Sequence, residues 1–246
     1  MSSHRFYLPP HVWKTGRLTL DPAEAHHAAE VLRLGTGDRV TVFNGEGAEA
    51  IAEIIKSGRD GMDLKQIQAG STPPLSCAIT LAQAIPKGKN MEFIIEKATE
   101  LGAASIAPLL SERTVVQCDR EEAQKKKQKW QRVAIEACKQ CGQNWLPAVQ
   151  TPRNLKDFFA AGQRFDVMLI ASLQADALPL KAVLAEIGAP APRSVLVLVG
   201  PEGDFTPAEI GLAKSSGCRP ITLGPIILRT ETAAMYCLSV LSHELL

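Results

Sequence analysis

The stretch Val195-Leu196-Val197-Leu198-Val199-Gly200-Pro201-Glu202-Gly203-Asp204 decides the fold of this 246-residue chain. Five consecutive apolar residues, three of them β-branched, predict a strand buried on both faces, the form strands take in a parallel sheet covered by helices. A Gly-Pro turn ends the run. Thr206-Pro207-Ala208-Glu209 is then a capping box with proline at the first helical position, so a helix starts there and runs to Gly217. Strand, short glycine loop and helix in this order put the loop at a strand's carboxyl end, where open α/β sheets bind ligands.

Ile221-Thr222-Leu223-Gly224-Pro225-Ile226-Ile227-Leu228-Arg229-Thr230-Glu231-Thr232-Ala233 repeats the form. Thr230 is predicted to cap a terminal helix running to about Leu245, with Ala233, Ala234, Cys237, Leu238 and Leu241 on its buried face. Taken alone, each Gly-Pro loop is a tight turn that needs no ligand. The pair, with Arg229 and Glu231 at the start of the last helix, points to one cleft.

Outward from these loops, strands are predicted at Ala78–Ala84, Ser105–Leu110, Asp166–Ala171, Val195–Val199 and Pro220–Leu223, alternating with helices, which gives an α/β class with a mostly parallel sheet. Met91–Leu101 is a helix with Asn90 as its cap and Gly102 past its end. Glu121–Cys141 is a longer one, basic on the face bearing Lys125, Lys126, Lys127, Lys129 and Arg132, with Trp130, Ala134, Ala137 and Cys141 on a packing stripe. Residues 1–72 differ. Asp38–Phe43 and Ala48–Ile55 flank Asn44-Gly45, a strong hairpin signal, and a short helix over His26–Leu34 carries Ala28, Val31 and Leu32 at helical spacing, with Gly35 as its cap. Ala69-Gly70-Ser71-Thr72-Pro73-Pro74 breaks every period, so the domain boundary falls between 1–72 and 73–246.

The composition, 46% hydrophobic and 22% charged, excludes disordered and collagen-like classes. The longest apolar runs fall far short of the ~20 residues of a membrane span, and the N-terminus carries no secretory pattern, so a cytoplasmic protein is expected. Net charge is +1, which argues against a protein coating nucleic acid through a large basic field, but residues 73–146 hold 11 Lys/Arg against 8 Asp/Glu. Dinucleotide, P-loop, serine-nucleophile and zinc-protease motifs are absent. Cys138-Lys139-Gln140-Cys141 has the spacing of metal or redox sites, yet it lies inside a predicted helix with no second ligand pair, and packing explains it better.

The chain resembles the bacterial 16S ribosomal RNA (uracil-N3)-methyltransferases of the SPOUT superfamily. The likeness rests on His4-Arg5-Phe6-Tyr7, His27 with Val31-Leu32-Arg33-Leu34-Gly35, Phe43-Asn44-Gly45, Lys87-Gly88, Glu96-Lys97-Ala98-Thr99-Glu100-Leu101-Gly102, Ser111-Glu112-Arg113-Thr114, Lys129-Trp130 to Ala137, Gln140-Cys141-Gly142, Gly200-Pro201-Glu202-Gly203 and Leu228-Arg229-Thr230-Glu231-Thr232-Ala233. Three positions depart from it. Ile226 and Gln143 stand where the family often has arginine, and Asp204 where a second glycine is common.

The resemblance implies an N-terminal PUA-like β-barrel for RNA over 1–72 and a trefoil-knotted α/β domain for S-adenosyl-L-methionine over 73–246. It also implies a homodimer and 16S ribosomal RNA of the small subunit as substrate; no metal is expected, because the cofactor's sulfonium already makes its methyl electrophilic. Cofactor-binding candidates are Leu169, Ala171, Gly200, Pro201, Glu202, Gly203, Leu223, Gly224, Leu228, Arg229 and Thr230. Arg229 is the candidate to stabilise charge developing on the uracil ring, and Glu231 and Glu202 are candidate bases. Glu231 fits equally a carboxylate complementing the helix dipole. RNA-binding candidates are Arg5, His27, Arg33, Lys126, Lys129 and Arg132, against the alternatives of a packed core histidine at 27 and a merely solvated lysine face. A transfer-RNA methyltransferase of the same superfamily and a noncatalytic RNA-binding protein stay open at this point.

Overall fold

The computed structural model describes residues 4–13, 16–58, 61–114 and 118–246. The chain divides into two compact units, Met1–Pro74 with Ile135–Leu146, and Leu75–Ala134 with Pro147–Leu246.

The first unit is built on β1 (Arg5–Tyr7), β2 (Arg17–Leu20), α1 (Pro22–His26), β3 (Arg39–Phe43), β4 (Ala48–Gly58) and β5 (Gly61–Ser71), in a sheet ordered β1-β3-β4-β5-β2. All its pairs are antiparallel except β1 with β3. Period-2 alternation sends Val40 and Val42, Ala50, Ala52 and Ile54, and Met62 and Leu64 to one buried face, where they meet Phe6, Leu18 and Leu20. Each large aliphatic removed from water there contributes about 1.5–3 kcal/mol. The predicted hairpin forms: Phe43 pairs with Glu49, and the Asn44 side-chain oxygen accepts from the Glu46 and Ala48 backbone N–H groups at 2.8 and 3.0 Å.

The helix expected at His26–Leu34 begins earlier. Asp21 caps α1 by accepting from the Glu24 N–H at 2.9 Å, with Pro22 at the first position, and the chain then widens into a π-helical turn over His27–Val31. Asp21-Pro22-Ala23-Glu24 is itself a start signal, and the apolar period masked it. Gly35 is not the left-handed residue that ends this helix. Arg33 is, at φ +57, with the Leu34 N–H reaching back to the Ala28 carbonyl at 2.9 Å. Val31 faces solvent rather than the core.

The second unit runs β6 (Ala78–Ala84), α2 (Asn90–Glu100), β7 (Ser105–Leu110), α3 (Arg120–Cys141), β8 (Ala148–Val149), β9 (Arg153–Asn154), α4 (Leu155–Ala160), β10 (Val167–Ala171), β11 (Leu178–Pro179), α5 (Leu180–Ala185), β12 (Ser194–Val199), α6 (Pro207–Ser215), β13 (Arg219–Thr222) and α7 (Thr230–Leu245). The last turns of α3, from Ile135, belong to the first unit. The sheet is wholly parallel in the order β11-β13-β10-β12-β6-β7-β8, with β9 on β7. Val195–Val199 lies in its middle and is buried throughout. The five expected strands stand within a residue of the observed ones. The three they lack are two residues long and carry no periodic signal.

Two expected caps are corrected. Asn90 lies inside α2, whose cap position is Lys89 with no side-chain bond, and Thr230 is the first residue of α7, behind Arg229. The Thr206 box is present in full, its hydroxyl accepting from the Glu209 N–H. On α3, Cys138 rather than Cys141 completes the packed stripe; burial, and then Cys141 nearby, push its thiol up to about 12, so it is inert. Among the described residues no three metal-ligating side chains cluster, and no helix is long and apolar enough to cross a membrane.

Candidate active site

The carboxyl ends of three neighbouring strands, β13, β10 and β12, open onto a cleft of about 280 Å³ within the second unit. Ala171, Gly200, Pro201, Glu202, Leu223, Gly224, Leu228, Arg229 and Thr230 line it, so the two Gly-Pro loops do face each other. Leu169 does not: its side chain is fully buried two residues earlier on β10. Gly203 also lies outside the lining, its carbonyl accepting from Arg113. Sequence reasoning missed Ser172, Leu173, Val199, Asp204, Thr222, Ile226, Ile227 and Ala233. Most of them continue a strand end or loop already singled out, so adjacency was the available signal.

The loop after β12 is fixed from several sides. The Thr230 hydroxyl donates to the Gly200 carbonyl at 2.6 Å and accepts from Gln83 Nε2 at 2.9 Å, all buried. Gln83 is the one amide in the apolar run of β6, and a polar group at such a position needs a partner. That was the signal that could have found it. Asp204 sits at φ +61, where aspartate is tolerated and glycine strain-free, which is a physical reason for the family's glycine there. Its carboxylate accepts from the Phe205 N–H at 2.8 Å and the Leu173 N–H at 3.3 Å, tying this loop to the chain after β10. A Cβ on Gly200 would stand 3.1 Å from Asp204 Oδ1 and from the Phe205 nitrogen, so the close approach of the backbone favours glycine.

Buried Glu209 ties a further segment to this loop. Its carboxylate accepts from Ser111 Oγ at 3.1 Å, the Glu112 N–H at 3.0 Å and the Thr206 N–H at 2.9 Å. Arg113, also missed, thereby reaches the Gly203 carbonyl.

Of the candidate catalytic groups, Arg229 and Glu202 line the cleft and both are exposed. Glu202 Oε1 accepts from the Lys87 N–H at 2.9 Å. Glu231 is in the first turn of α7, outside the lining, where a carboxylate complements the helix dipole.

The RNA-binding candidates fare unevenly. Arg5 is engaged inside the first unit, with Nη2 on Asn144 Oδ1 at 2.6 Å, Nη1 on Glu49 at 3.4 Å and its guanidinium 5.0 Å from the Phe43 ring centroid. His27 and Arg33 are exposed, so His27 is not a packed core histidine. On α3, Lys129 pairs with Glu92 and Lys125 with Glu121, which neutralises part of the basic face; Lys126 is half-buried and Arg132 exposed.

An RNA methyltransferase domain family matches residues 73–242, and an RNA methyltransferase PUA domain family matches residues 20–67. Ribosomal RNA small subunit methyltransferase E of Bacillus subtilis is 33% identical over 226 residues, 90% of this chain and 88% of the relative. Two solved structures superpose over nearly the whole chain. A methyltransferase of Legionella pneumophila in complex with bound SAM has a TM-score of 0.88 at 35% identity, covering 99% of this chain and 98% of its own. The ribosomal RNA small subunit methyltransferase E of Neisseria gonorrhoeae bound to S-adenosyl methionine has 0.85 at 30%, covering 98% and 97%. With the family matched over most of its length and the α/β methyltransferase fold shared, the chain belongs to the ribosomal RNA small subunit methyltransferase E family of RNA methyltransferases.

Proposed function

We propose that the protein transfers the methyl group of S-adenosyl-L-methionine to ring nitrogen 3 of a uridine in 16S ribosomal RNA of the small subunit. The observation that carries this is the cleft at the ends of β10, β12 and β13, lined by loop backbone and aliphatic side chains, in a chain 30–35% identical to proteins solved with that cofactor. Aliphatic walls suit a flat adenine. The backbone groups of Glu202 and Leu223 suit its polar edges.

The cofactor supplies an electrophilic methyl on a sulfonium, and no metal is required. Loss of the uracil N3–H proton puts negative charge on N3 and the two flanking ring oxygens, and that charge is discharged as N3 takes up the methyl group. Arg229 stabilises that charge from the cleft wall. Two carboxylates line the cleft, and Asp204 is engaged by the Phe205 and Leu173 N–H groups, so Glu202 takes the proton directly or through water, and Glu231 acts on the α7 dipole instead.

The finer features implied by family likeness belong to the same proposal: a trefoil knot in 73–246, closure of the first unit's sheet into a PUA-like barrel that holds RNA through His27 and Arg33, a homodimer, and action in the cytoplasm. Labelled S-adenosyl-L-methionine given with the protein to small subunits lacking endogenous methylation, followed by nucleoside analysis, tests the central claim. 3-Methyluridine is expected. A different methylated nucleoside overturns the ring position, and no label overturns the activity on this substrate.

A further inference from the structure

Lys87, Lys89 and Arg113 are exposed cations outside the cleft lining, and among the described residues none of them pairs with a carboxylate. Two of them meet the same short piece of chain. The Lys87 N–H donates to Glu202 Oε1 at 2.9 Å, and Arg113 Nη1 donates to the Gly203 carbonyl. Glu202 and Gly203 are consecutive, with Cα atoms about 3.8 Å apart, so the Lys87 turn and the Arg113 side chain converge on the outer end of the loop whose inner side lines the cleft.

Both segments are held by contacts that leave the three charges without a carboxylate partner among the described residues. Before the turn, Ile85 and Pro86 are buried and the Ile85 N–H donates to the Leu109 carbonyl at 2.9 Å; after it, α2 begins at Asn90. Gly88 between the lysines has φ +67, and a Cβ there would meet nothing within 4 Å, so the turn stands open to a ligand. Arg113 is set by its neighbours: Ser111 Oγ and the Glu112 N–H are fixed on buried Glu209, and the Thr114 N–H closes on the Ser111 carbonyl at 2.9 Å. With one N–H on Gly203, its guanidinium keeps further donors for a second acceptor. The carboxylates beside these segments are engaged elsewhere: Glu202 on the Lys87 N–H, Glu209 on Ser111, Glu112 and Thr206, and Asp204 on Phe205 and Leu173, while Glu112 is exposed. The basic run of α3 is different, since two of its lysines are already neutralised by Glu92 and Glu121.

We propose that Lys87, Lys89 and Arg113 form a phosphate-binding rim that holds the RNA backbone flanking the nucleotide presented to the cleft. The inference rests on the RNA methyltransferase reading and adds where the catalytic unit grips its substrate. A polyanion is the ligand this chemistry fits: two flexible ammonium groups act as point charges, and a planar guanidinium gives geometric definition to one phosphate. Phosphate contacts set register without reading sequence, and alignment is the main demand of a direct methyl transfer.

The test uses the full chain, a fluorescently labelled single-stranded oligoribonucleotide containing uridine, and a salt titration of its binding. In the double variant Lys87→Ala/Lys89→Ala, affinity at low salt falls about tenfold or more, and the slope of log K against log salt becomes shallower by roughly 1.4, the loss of two phosphate contacts on a single strand. S-adenosyl-L-methionine affinity stays unchanged, because neither side chain lines the cleft and the Lys87 N–H is kept; it also serves as the check on folding. In methyl transfer, KM for RNA rises while kcat at saturation holds. Unchanged affinity and slope in this variant, with wild-type binding intact, overturn the rim, and a loss found instead in Lys126→Ala/Arg132→Ala assigns the grip to α3. A wild-type protein that binds the cofactor but no RNA overturns the RNA methyltransferase reading, and the rim with it.

Discussion

The two loops that face each other across the cleft have the same Gly-Pro signature and opposite mechanical character. Gly200–Asp204 is tied by the Thr230 hydroxyl, the Lys87 N–H, the Arg113 guanidinium and the Asp204 carboxylate to four other segments. Leu223–Leu228 has, among the described residues, only a 3.4 Å contact from the Thr222 hydroxyl to the Gly224 carbonyl, and it leaves Ile226 and Ile227 each 75% exposed. The first wall is therefore preorganised. The second opens at lower free energy, because few buried contacts and hydrogen bonds hold it. A cleft with one fixed and one yielding wall can admit a ligand and then close apolar side chains over it, and the fixed wall sets the geometry of transfer.

The contrast breaks most visibly at Arg229, which ends the yielding loop and carries the proposed charge stabilisation. In Arg229→Ala, turnover falls about 100- to 1000-fold, the cost of removing one donor to a developing anion, while cofactor affinity measured by calorimetry changes little. Near-normal turnover would leave the second loop as a cover only.

Next in size is the anchor of the fixed wall. Thr230→Val keeps the shape and removes the hydroxyl, leaving the Gly200 carbonyl without that partner and taking one acceptor from Gln83, at a cost of about 1–3 kcal/mol. Melting drops by several degrees, at about 2–4 °C per kcal/mol for a chain of this length, and cofactor affinity weakens with it. Thr230→Ser restores both. If Thr230→Val melts and binds as the wild type does, the fixed wall is held by something else.

The glycines sharpen the comparison. Gly200→Ala puts a methyl group 3.1 Å from the Phe205 nitrogen and from Asp204 Oδ1, so a loop held by several ties must give by a few tenths of an ångström, which costs about 1–3 kcal/mol. Gly224→Ala meets nothing within 4 Å but sits at φ +119. In a rigid loop that strain costs about 1–3 kcal/mol; in a loop with one weak hydrogen bond the backbone shifts to relieve most of it. Equal losses of stability in the two variants would show that the second loop is as constrained as the first.

Which parts of this were legible in the sequence follows from where the forces are local. The strands of the second unit stand out because residues buried on both faces must be apolar in unbroken runs, and the Thr206 box because its partners lie three residues apart. The assignment of Ile135–Leu146 to the first unit is different: it depends on contacts such as Asn144 with Arg5, Glu49 and Thr72, 72 to 139 residues away, which no window contains. The cleft was legible as two loops but its holding network was not, since Gln83, Arg113 and Glu209 lie on other elements and become neighbours only through the sheet order. The left-handed Arg33 was hidden for another reason. Gly35 two residues later satisfies the usual rule for ending a helix, and nothing in the residue types says that the rule is broken.

The smallest expected effect concerns the residue that ties the fixed wall to the chain after β10. Asp204→Gly relieves a left-handed aspartate, a gain of roughly 0.5–1 kcal/mol set by the cost of αL for a residue with a Cβ, and it loses the acceptor for the Phe205 and Leu173 N–H groups. Leu173 is exposed, so water replaces one of these bonds at little cost, and stability changes by less than about 1 kcal/mol. Binding responds differently. Asp204 Oδ2 is the acceptor that holds the chain after β10 against the fixed wall, so its loss lets Leu173 move with the yielding side, and cofactor affinity weakens severalfold although the melting temperature hardly moves. Asp204→Asn keeps one acceptor oxygen and falls between glycine and wild type. If affinity and melting instead change in proportion across the three residues, position 204 acts on the fold alone, and the division into a fixed and a yielding wall lies elsewhere in the cleft.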